Sequence, residues 1–199
     1  KVTSNDENGI GARPHKIHGM HVGHVPEDRE KDGLVGQYSI ANNMVLNRFD
    51  EPEFSRRGIR NMDAVNSLAT KLVKDFDVRT PSIKTPANSL SGGNKQKVVI
   101  ARELSANPSL LIASQPTRGV DVGSIEFIHS QIISARDSGA AVLLVSAELD
   151  EVLGLSDRIL VMYDGQIVAE LEGANPDRAE IGRLMAGGHA VVAEDSSHG

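Results

Sequence analysis

The stretch from Ser89 to Lys97 holds the residues of this chain that are best suited to chemistry. It reads Ser-Leu-Ser-Gly-Gly-Asn-Lys-Gln-Lys, and its two adjacent glycines open a helix that is predicted over residues 93–106. Glycine lets a ligand approach the backbone amides, and the first amides of a helix have no partner within the helix. Together with the helix dipole and the Ser91 hydroxyl, this helix start predicts an anion site. An ordinary Ser-Gly helix start without a ligand is the alternative interpretation.

The elements that position this stretch are predicted from hydrophobic spacing. Apolar runs predict strands and one hairpin over residues 20–25, 110–113, 140–145 and 159–163 with 167–171. Helical spacing and capping residues predict helices over residues 40–46, 65–76, 123–138 and 148–155, and a last helix capped by Asp177. The first 24 residues are rich in turn formers, so we expect a loop before the first strand. Apolar strands that alternate with helices predict an α/β fold with a mostly parallel sheet.

Composition excludes several classes of function. The 199 residues include 21 Lys and Arg against 27 Asp and Glu, and the net charge of −6 argues against a nucleic acid partner. The absence of cysteine excludes disulfides, thiolate catalysis and cysteine-based metal sites. Aromatic residues make up 3% of the sequence and none is Trp, which argues against a platform for base stacking.

The order of the motifs along the chain indicates a family. The stretch at residues 94–104 leads to the strand at 110–113 and then to Gln-Pro-Thr-Arg-Gly-Val-Asp at residues 115–121. Val-Pro-Glu-Asp-Arg precedes this series at residues 25–29, and Val-Ser-Ala-Glu-Leu-Asp-Glu-Val follows it at residues 145–152. Over residues 14–186 the series resembles the ATP-binding subunits of ABC transporters. It is most similar to the second nucleotide-binding half of importers for simple sugars and nucleosides.

The resemblance implies a P-loop NTPase-like fold with a helical subdomain, and an ATP site that two nucleotide-binding domains form together. One domain supplies a phosphate loop, and the other supplies a signature loop, which corresponds here to residues 90–94. The residues carried over to the signature loop are Leu90, Ser91, Gly92, Gly93 and Asn94. Asp121 is carried over to a loop that touches the opposite domain, and Glu27 to the position of a glutamine that contacts Mg²⁺. The implied cofactors are ATP and Mg²⁺ in the complete assembly, with no separate metal site on this chain.

The partners follow from the same resemblance. They are a first nucleotide-binding domain, in the same or a second polypeptide, and integral membrane permease subunits, with an indirect link to a solute-binding protein. The implied location is the cytoplasmic face of the cell membrane. The implied function is ATP-driven import of a nucleoside or a simple sugar.

The sequence departs from an active ATPase at several positions. It contains no Gly-x-x-x-x-Gly-Lys-Ser/Thr, so we expect a domain whose N-terminal phosphate-loop part lies upstream of Lys1. Ser114 and Gln115 stand where the family places the acids for Mg²⁺ and for the attacking water, and Ala147 stands at the position of a histidine. A hydroxyl is a poor Mg²⁺ ligand and a glutamine cannot accept a proton. We therefore expect no intact catalytic residue and no ATP hydrolysis by this chain alone.

The expected organisation has four parts. They are a remnant of the N-terminal region (1–27), a helical subdomain with the signature loop (28–105), an α/β core with a degenerate Mg²⁺-binding strand (106–186) and a flexible tail (187–199). Two other functions compete with the importer. One is a non-catalytic regulatory or scaffold domain, and the other is an ABC ATPase that is not a transporter.

Two weaker patterns each have a functional interpretation and an alternative as ordinary surface residues. His15, His18, His21 and His24 recur every three residues. A metal site would need them close together, but alternate positions of a strand face opposite ways, so scattered surface histidines are favoured. The basic patch of residues 56, 57 and 60 is either a contact with the membrane subunit or a solvated helix end.

Overall fold

The computed structural model describes residues 3–4, 7–8, 11–172 and 177–187. The strands in this part of the chain are β1 (Thr3–Ser4), β2 (Glu7–Asn8), β3 (Val22–Val25), β4 (Ser55–Arg56), β5 (Ile59–Arg60), β6 (Leu110–Ser114), β7 (Ala141–Val145), β8 (Arg158–Tyr163) and β9 (Gln166–Glu172). The helices are α1 (Pro14–Gly19), α2 (Ile40–Met44), α3 (Met62–Asp75), α4 (Gly92–Ser105), α5 (Val122–Asp137), α6 (Leu149–Leu155) and α7 (Arg178–Met185). A π-helical turn (Arg29–Gly33) and a 3₁₀ turn (Ala87–Ser89) complete these elements.

A parallel sheet of three strands positions the candidate site. β6 lies in its centre, between β3 and β7, and both pairs are parallel. Val25 pairs with Ala113, and Ser114 pairs with Val145, so the three strands end at one edge. The chain segments that follow Val25 and Ser114 therefore leave the sheet side by side, at the edge where open α/β sheets bind ligands. The parallel sheet predicted from the sequence is confirmed.

Helix α4 is the central helix of the part of the chain that contains the parallel sheet. Its residues from Gln96 to Glu103 are all buried, against α2, α3, α5 and β3. Three of them are charged, and two of these form an ion pair, with Arg102 Nε 2.8 Å from Glu103 Oε1. Arg102 also donates to the Gly33 carbonyl at 2.8 Å, while Glu103 accepts the His24 amide at 3.1 Å. Because each buried charge has several partners, the pair fixes α4 against β3 and the π-helical turn.

Short-range signals in the sequence are confirmed at several helix and strand ends. Ser39 caps α2 and Asp177 caps α7, each by accepting a backbone amide of the first turn. The hairpin of β8 and β9 turns at Asp164 and Gly165, which both have positive φ. That conformation is the one that two-residue hairpin turns need.

The expectation of a loop before the strand at residues 20–25 is wrong at the short antiparallel pair of β1 and β2 and at α1. The Arg13 carbonyl accepts the amides of Lys16 and Ile17, and the helix begins at a proline, whose fixed φ suits the first helical position. The side chains of His15 and His18 lie outside the described residues, and His21 and His24 are exposed. Among the residues that the structure describes, no three His, Asp or Glu side chains are placed to hold a metal ion.

The chain divides into two compact units, residues 1–145 and 146–199. In the second unit α7 packs on β8, and the small core consists of Ile159, Val161, Ile181 and Leu184. The four-part division drawn from the sequence stays a prediction, and residues 188–199 of the expected tail lie outside the described residues. No helix in the described part of the chain is both long enough and apolar enough to span a membrane.

Candidate functional site

The signature loop forms the N-terminus of α4. Ser91 is the capping residue, and its Oγ accepts the Asn94 amide at 3.4 Å and the Asn94 side-chain amide at 2.9 Å. Gly92 and Gly93 are the first two helical residues, so helix geometry gives their amides no acceptor one turn back. Ser91 is exposed, and a hydroxyl that accepts hydrogen bonds can still donate its own proton. The arrangement can bind an anion presented from outside the domain.

The two glycines are also required by packing within the chain. A Cβ at Gly93 would lie 2.6 Å from Asp121 Oδ2 and closer still to Ser124 Oγ. A Cβ at Gly92 would lie 2.9 Å from Arg29 Nη2 and 3.1 Å from a backbone carbonyl. Ligand approach alone therefore does not explain the glycine pair, because any side chain at either position would push on the neighbouring loop.

Asp121 lies directly against the signature loop and caps α5. Its carboxylate accepts the Ser124 amide at 3.0 Å and the Ser124 hydroxyl at 2.9 Å. These two hydrogen bonds, the hydroxyl first, hold the pKa of Asp121 below the ordinary aspartate value. Asp121 is thus a fixed, ionised group beside Gly93, and its expected contact with an opposite domain stays a prediction.

Ser114 and Gln115 lie at the end of β6, in the centre of the carboxyl edge of the sheet. Ser114 is the last residue of the strand, and the Gln115 amide donates to the Val145 carbonyl at 2.7 Å. Both side chains are half-buried and neither carries a charge. Neither Ser114 nor Gln115 can supply a carboxylate at this edge for Mg²⁺ or for a proton, and the loss of catalysis that this implies stays a prediction. Ala147 lies in the second unit, just before α6.

Glu27 is engaged within the chain. It follows β3 and Pro26, and its carboxylate forms an ion pair with the Arg118 guanidinium. Nearby, Arg29 donates to the carbonyls of Arg118 and Gly119, at 2.7 and 3.1 Å. The loop after β3 and the loop over residues 116–121 are thus joined by side chains of both.

Sequence reasoning assigned no role to Arg29, Arg118, Ser124 or Gln96. The two arginines occur in the quoted motifs, and an aspartate just before a helix is a recognisable N-cap signal that would have pointed to this helix start. Gln96 had no such signal. Its side chain is 1% exposed and donates to the Pro116 carbonyl at 2.8 Å. This hydrogen bond holds the start of the 116–121 loop against α4.

The residues present fit a phosphate better than a metal ion. Unpaired helix amides, a serine hydroxyl and the positive end of α4 favour a phosphate oxygen. The groups at the expected Mg²⁺ positions are a hydroxyl, a neutral amide and a carboxylate that already has a cationic partner. Mg²⁺ prefers carboxylate and phosphate oxygens, so these residues are suited to a phosphate group and poorly suited to the metal.

Comparisons with known sequences identify relatives. The sequence model of the ABC transporter family matches residues 2–118. The chain is 51% identical over 177 residues to the nucleoside import ATP-binding protein NupA of Lactococcus lactis subsp. cremoris, which corresponds to 89% of this chain and 35% of that protein. It is 45% identical over 186 residues to the guanosine import ATP-binding protein NupO of Bacillus subtilis, with 94% and 36% covered. The chain thus spans little more than a third of the length of these relatives.

Solved structures with the same fold include a dimeric ATP-binding cassette in a post-hydrolysis state bound to ADP and Pi. It superposes with a TM-score of 0.66 at 22% identity, over 88% of this chain and 72% of that chain. A nucleotide-free ATP-binding cassette from an ABC transporter gives 0.63 at 20% identity, over 85% and 71%. At these identities the likeness establishes the ATP-binding cassette fold. Because the family model covers more than half of the 199 residues, the chain belongs to the ABC transporter family.

Proposed function

We propose that this chain is the second nucleotide-binding domain of an importer for nucleosides or simple sugars, and that it contributes its signature loop to an ATP site shared with a partner domain. One observation carries the proposal: a helix start capped by Ser91 and opened by two glycines, which is suited to a phosphate, coexists with uncharged residues at Ser114 and Gln115. Groups that serve a partner's site are retained, while groups that would serve the chain's own site are replaced.

The chain's own residues have defined tasks in this proposal. ATP supplies the energy when its terminal phosphate is cleaved. The amides of Gly92 and Gly93 and the Ser91 hydroxyl donate to that phosphate, and the positive end of α4 stabilises its charge. Asp121, fixed by Ser124, contacts the opposite domain. The phosphate loop, the Mg²⁺ ligand and the group that orients water belong to the partner domain.

The import function is supported by the printed names of relatives. The two curated proteins described above are named for import of nucleosides and of guanosine, and more distant relatives at 38% identity are named for import of ribose. We propose a location at the cytoplasmic face of the membrane, against permease subunits that contact residues 28–105 and the Glu27 loop. A separate solute-binding protein delivers the solute to the permease.

The experiment is ATP-driven uptake into proteoliposomes. The protein that contains this chain is assembled with its permease subunits, and uptake of labelled guanosine is compared with uptake of labelled ribose. We expect accumulation of one of these solutes with ATP and none with ADP. Failure of ATP to drive uptake of any nucleoside or simple sugar contradicts the proposed import.

A scaffold role is the second candidate, and the neutral side chains of Ser114 and Gln115 favour it. The two roles differ in how the nucleotide-binding domains respond to ATP. A donor and an acceptor dye on the two domains report their separation in the assembled protein. Closure on addition of ATP supports the shared site, whereas an unchanged separation supports the scaffold.

A further inference from the structure

The Arg29 side chain bridges two loops at the carboxyl edge of the sheet. It begins the π-helical turn after β3, and its two terminal nitrogens donate to consecutive carbonyls of the 116–121 loop. Hydrogen bonds from a guanidinium are charge-assisted and directional, so this pair fixes both the distance and the orientation of the loop. The Arg29 side chain is half-buried, and its Nε lies out of solvent without a hydrogen-bond partner among the described residues.

The signature loop supports the guanidinium from the other side. Arg29 Nη2 and the Gly119 carbonyl lie 2.9 and 3.1 Å from the point where a Cβ of Gly92 would stand. Only a glycine leaves this space, so Gly92, Arg29 and Gly119 form one packed contact. Gly119 has a φ of +65°, a conformation that glycine adopts without strain.

An ion pair forms a second connection between the same two loops, the loop after β3 and the 116–121 loop. The Arg118 side chain reaches back to Glu27, while the Arg118 carbonyl accepts from Arg29. Glu27 and Arg118 are both exposed, with side chains that are 55% and 66% accessible, so solvent screens their ion pair. Arg29 makes two charge-assisted hydrogen bonds to backbone carbonyls, so it holds the backbone of the 116–121 loop directly, whereas the ion pair holds only the Arg118 side chain.

We propose that Arg29 is a positioning residue that holds the 116–121 loop against the signature loop, so that Asp121 and residues 91–93 are presented together. This inference rests on the proposed function, since it concerns the same shared ATP site. Arg29 itself contacts no nucleotide. It acts through Gly92 and Gly119, and it also connects them to the loop of Glu27, the segment that we place against the permease.

The test is the steady-state ATPase activity of the assembled transporter with Arg29→Ala and Arg29→Lys. Loss of two charge-assisted hydrogen bonds is expected to lower kcat by about 10- to 100-fold in Arg29→Ala. Lysine keeps the charge but not the fork, so Arg29→Lys should lie between Arg29→Ala and the unsubstituted protein. The KM for ATP should change by less than about threefold, because the nucleotide is bound by the partner's phosphate loop. Arg136→Ala, which removes an exposed arginine at the opposite end of α5 from Asp121 and outside residues 28–105, is the matched control and should retain its activity.

A second readout reports the loop directly. Amide hydrogen exchange at residues 118–121 should become faster in Arg29→Ala without ATP, since the loop loses its fixed contact with the signature loop. If Arg29→Ala does not assemble into the complex, ATPase activity and amide hydrogen exchange are both measured on Arg29→Lys instead. Unchanged kcat and unchanged exchange overturn the positioning role, as does a rise in KM with kcat unchanged. If Ser91→Asp and Ser91→Asn are equally active, the shared site itself is wrong, and this outcome is separate from a failure at Arg29.

Discussion

Ser91 can be replaced by an acid without removing the cap of α4. Its Oγ accepts the Asn94 amide, and aspartate and asparagine both accept at this position about as well as serine. Ser91→Asp and Ser91→Asn are therefore a matched pair that differs by one negative charge. An acid at a helix start is also favourable to the helix, so Ser91→Asp should be at least as stable as Ser91→Asn in urea unfolding.

The charge has a large effect on function if a phosphate binds at this helix start. Two unit charges about 4 Å apart, at an effective dielectric constant of about 20, repel by about 4 kcal/mol. Since about 1.4 kcal/mol changes a rate tenfold, the unscreened effect is roughly 1,000-fold. Salt reduces the repulsion at an exposed site, and we expect a loss of about 100-fold in kcat/KM at physiological ionic strength.

The assay is ATP hydrolysis by the protein that contains this chain, assembled with the partner domain and the permease that we propose for it. Ser91→Asn should stay within about tenfold of the unsubstituted protein, because an asparagine amide can still donate to a phosphate. Ser91→Asp should be stable and nearly inactive. Equal activities for the two variants would refute the reasoning, since the added charge would then be far from any phosphate.

Two further predictions concern the contact between the signature loop and α5. Gly93→Ala should lower the free energy of unfolding by about 1–3 kcal/mol, because the new Cβ would overpack against Asp121 and Ser124. Gly123→Ala is the control and should leave the free energy of unfolding unchanged, since its Cβ would meet Asp121 Oδ1 at an ordinary 3.6 Å. Equal urea midpoints for the two variants contradict the prediction. Ser124→Ala should raise the pKa of Asp121 toward the ordinary value, as measured by NMR titration. Because the pKa of Asp121 is lower in the folded than in the unfolded protein, its stabilisation is present above the unfolded pKa and is lost as pH falls through the folded pKa. An unchanged pKa of Asp121 in Ser124→Ala would contradict the assigned cause.

Local patterns in the sequence were sufficient for most elements of the fold. Each depends on neighbouring residues: the cap at Ser39, the turn at Asp164, and the apolar strand that precedes Ser114. The first helix was missed because proline and glycine bound a stretch of only six residues, where turn formers outweigh helical spacing. Composition therefore gave the wrong prediction for a very short helix.

Contacts between distant residues could not be found in this way. Arg29 and Arg118 are 89 residues apart, and no periodicity links a guanidinium to a backbone carbonyl at that separation. The requirement for glycine at position 93 could not be predicted either, because it comes from the position of Asp121 in the folded chain rather than from neighbouring residues. The sequence was sufficient to predict a helix start at the glycine pair, but only the structure explains how these glycines are coupled to the 116–121 loop.

The most direct measurement is the structure of the assembled transporter trapped with a non-hydrolysable ATP analogue. A terminal phosphate on the partner's phosphate loop, within about 3.5 Å of Ser91 Oγ and the Gly93 amide, is the result that the shared site requires. An analogue bound to the partner domain with no contact to residues 90–94 of this chain would contradict it.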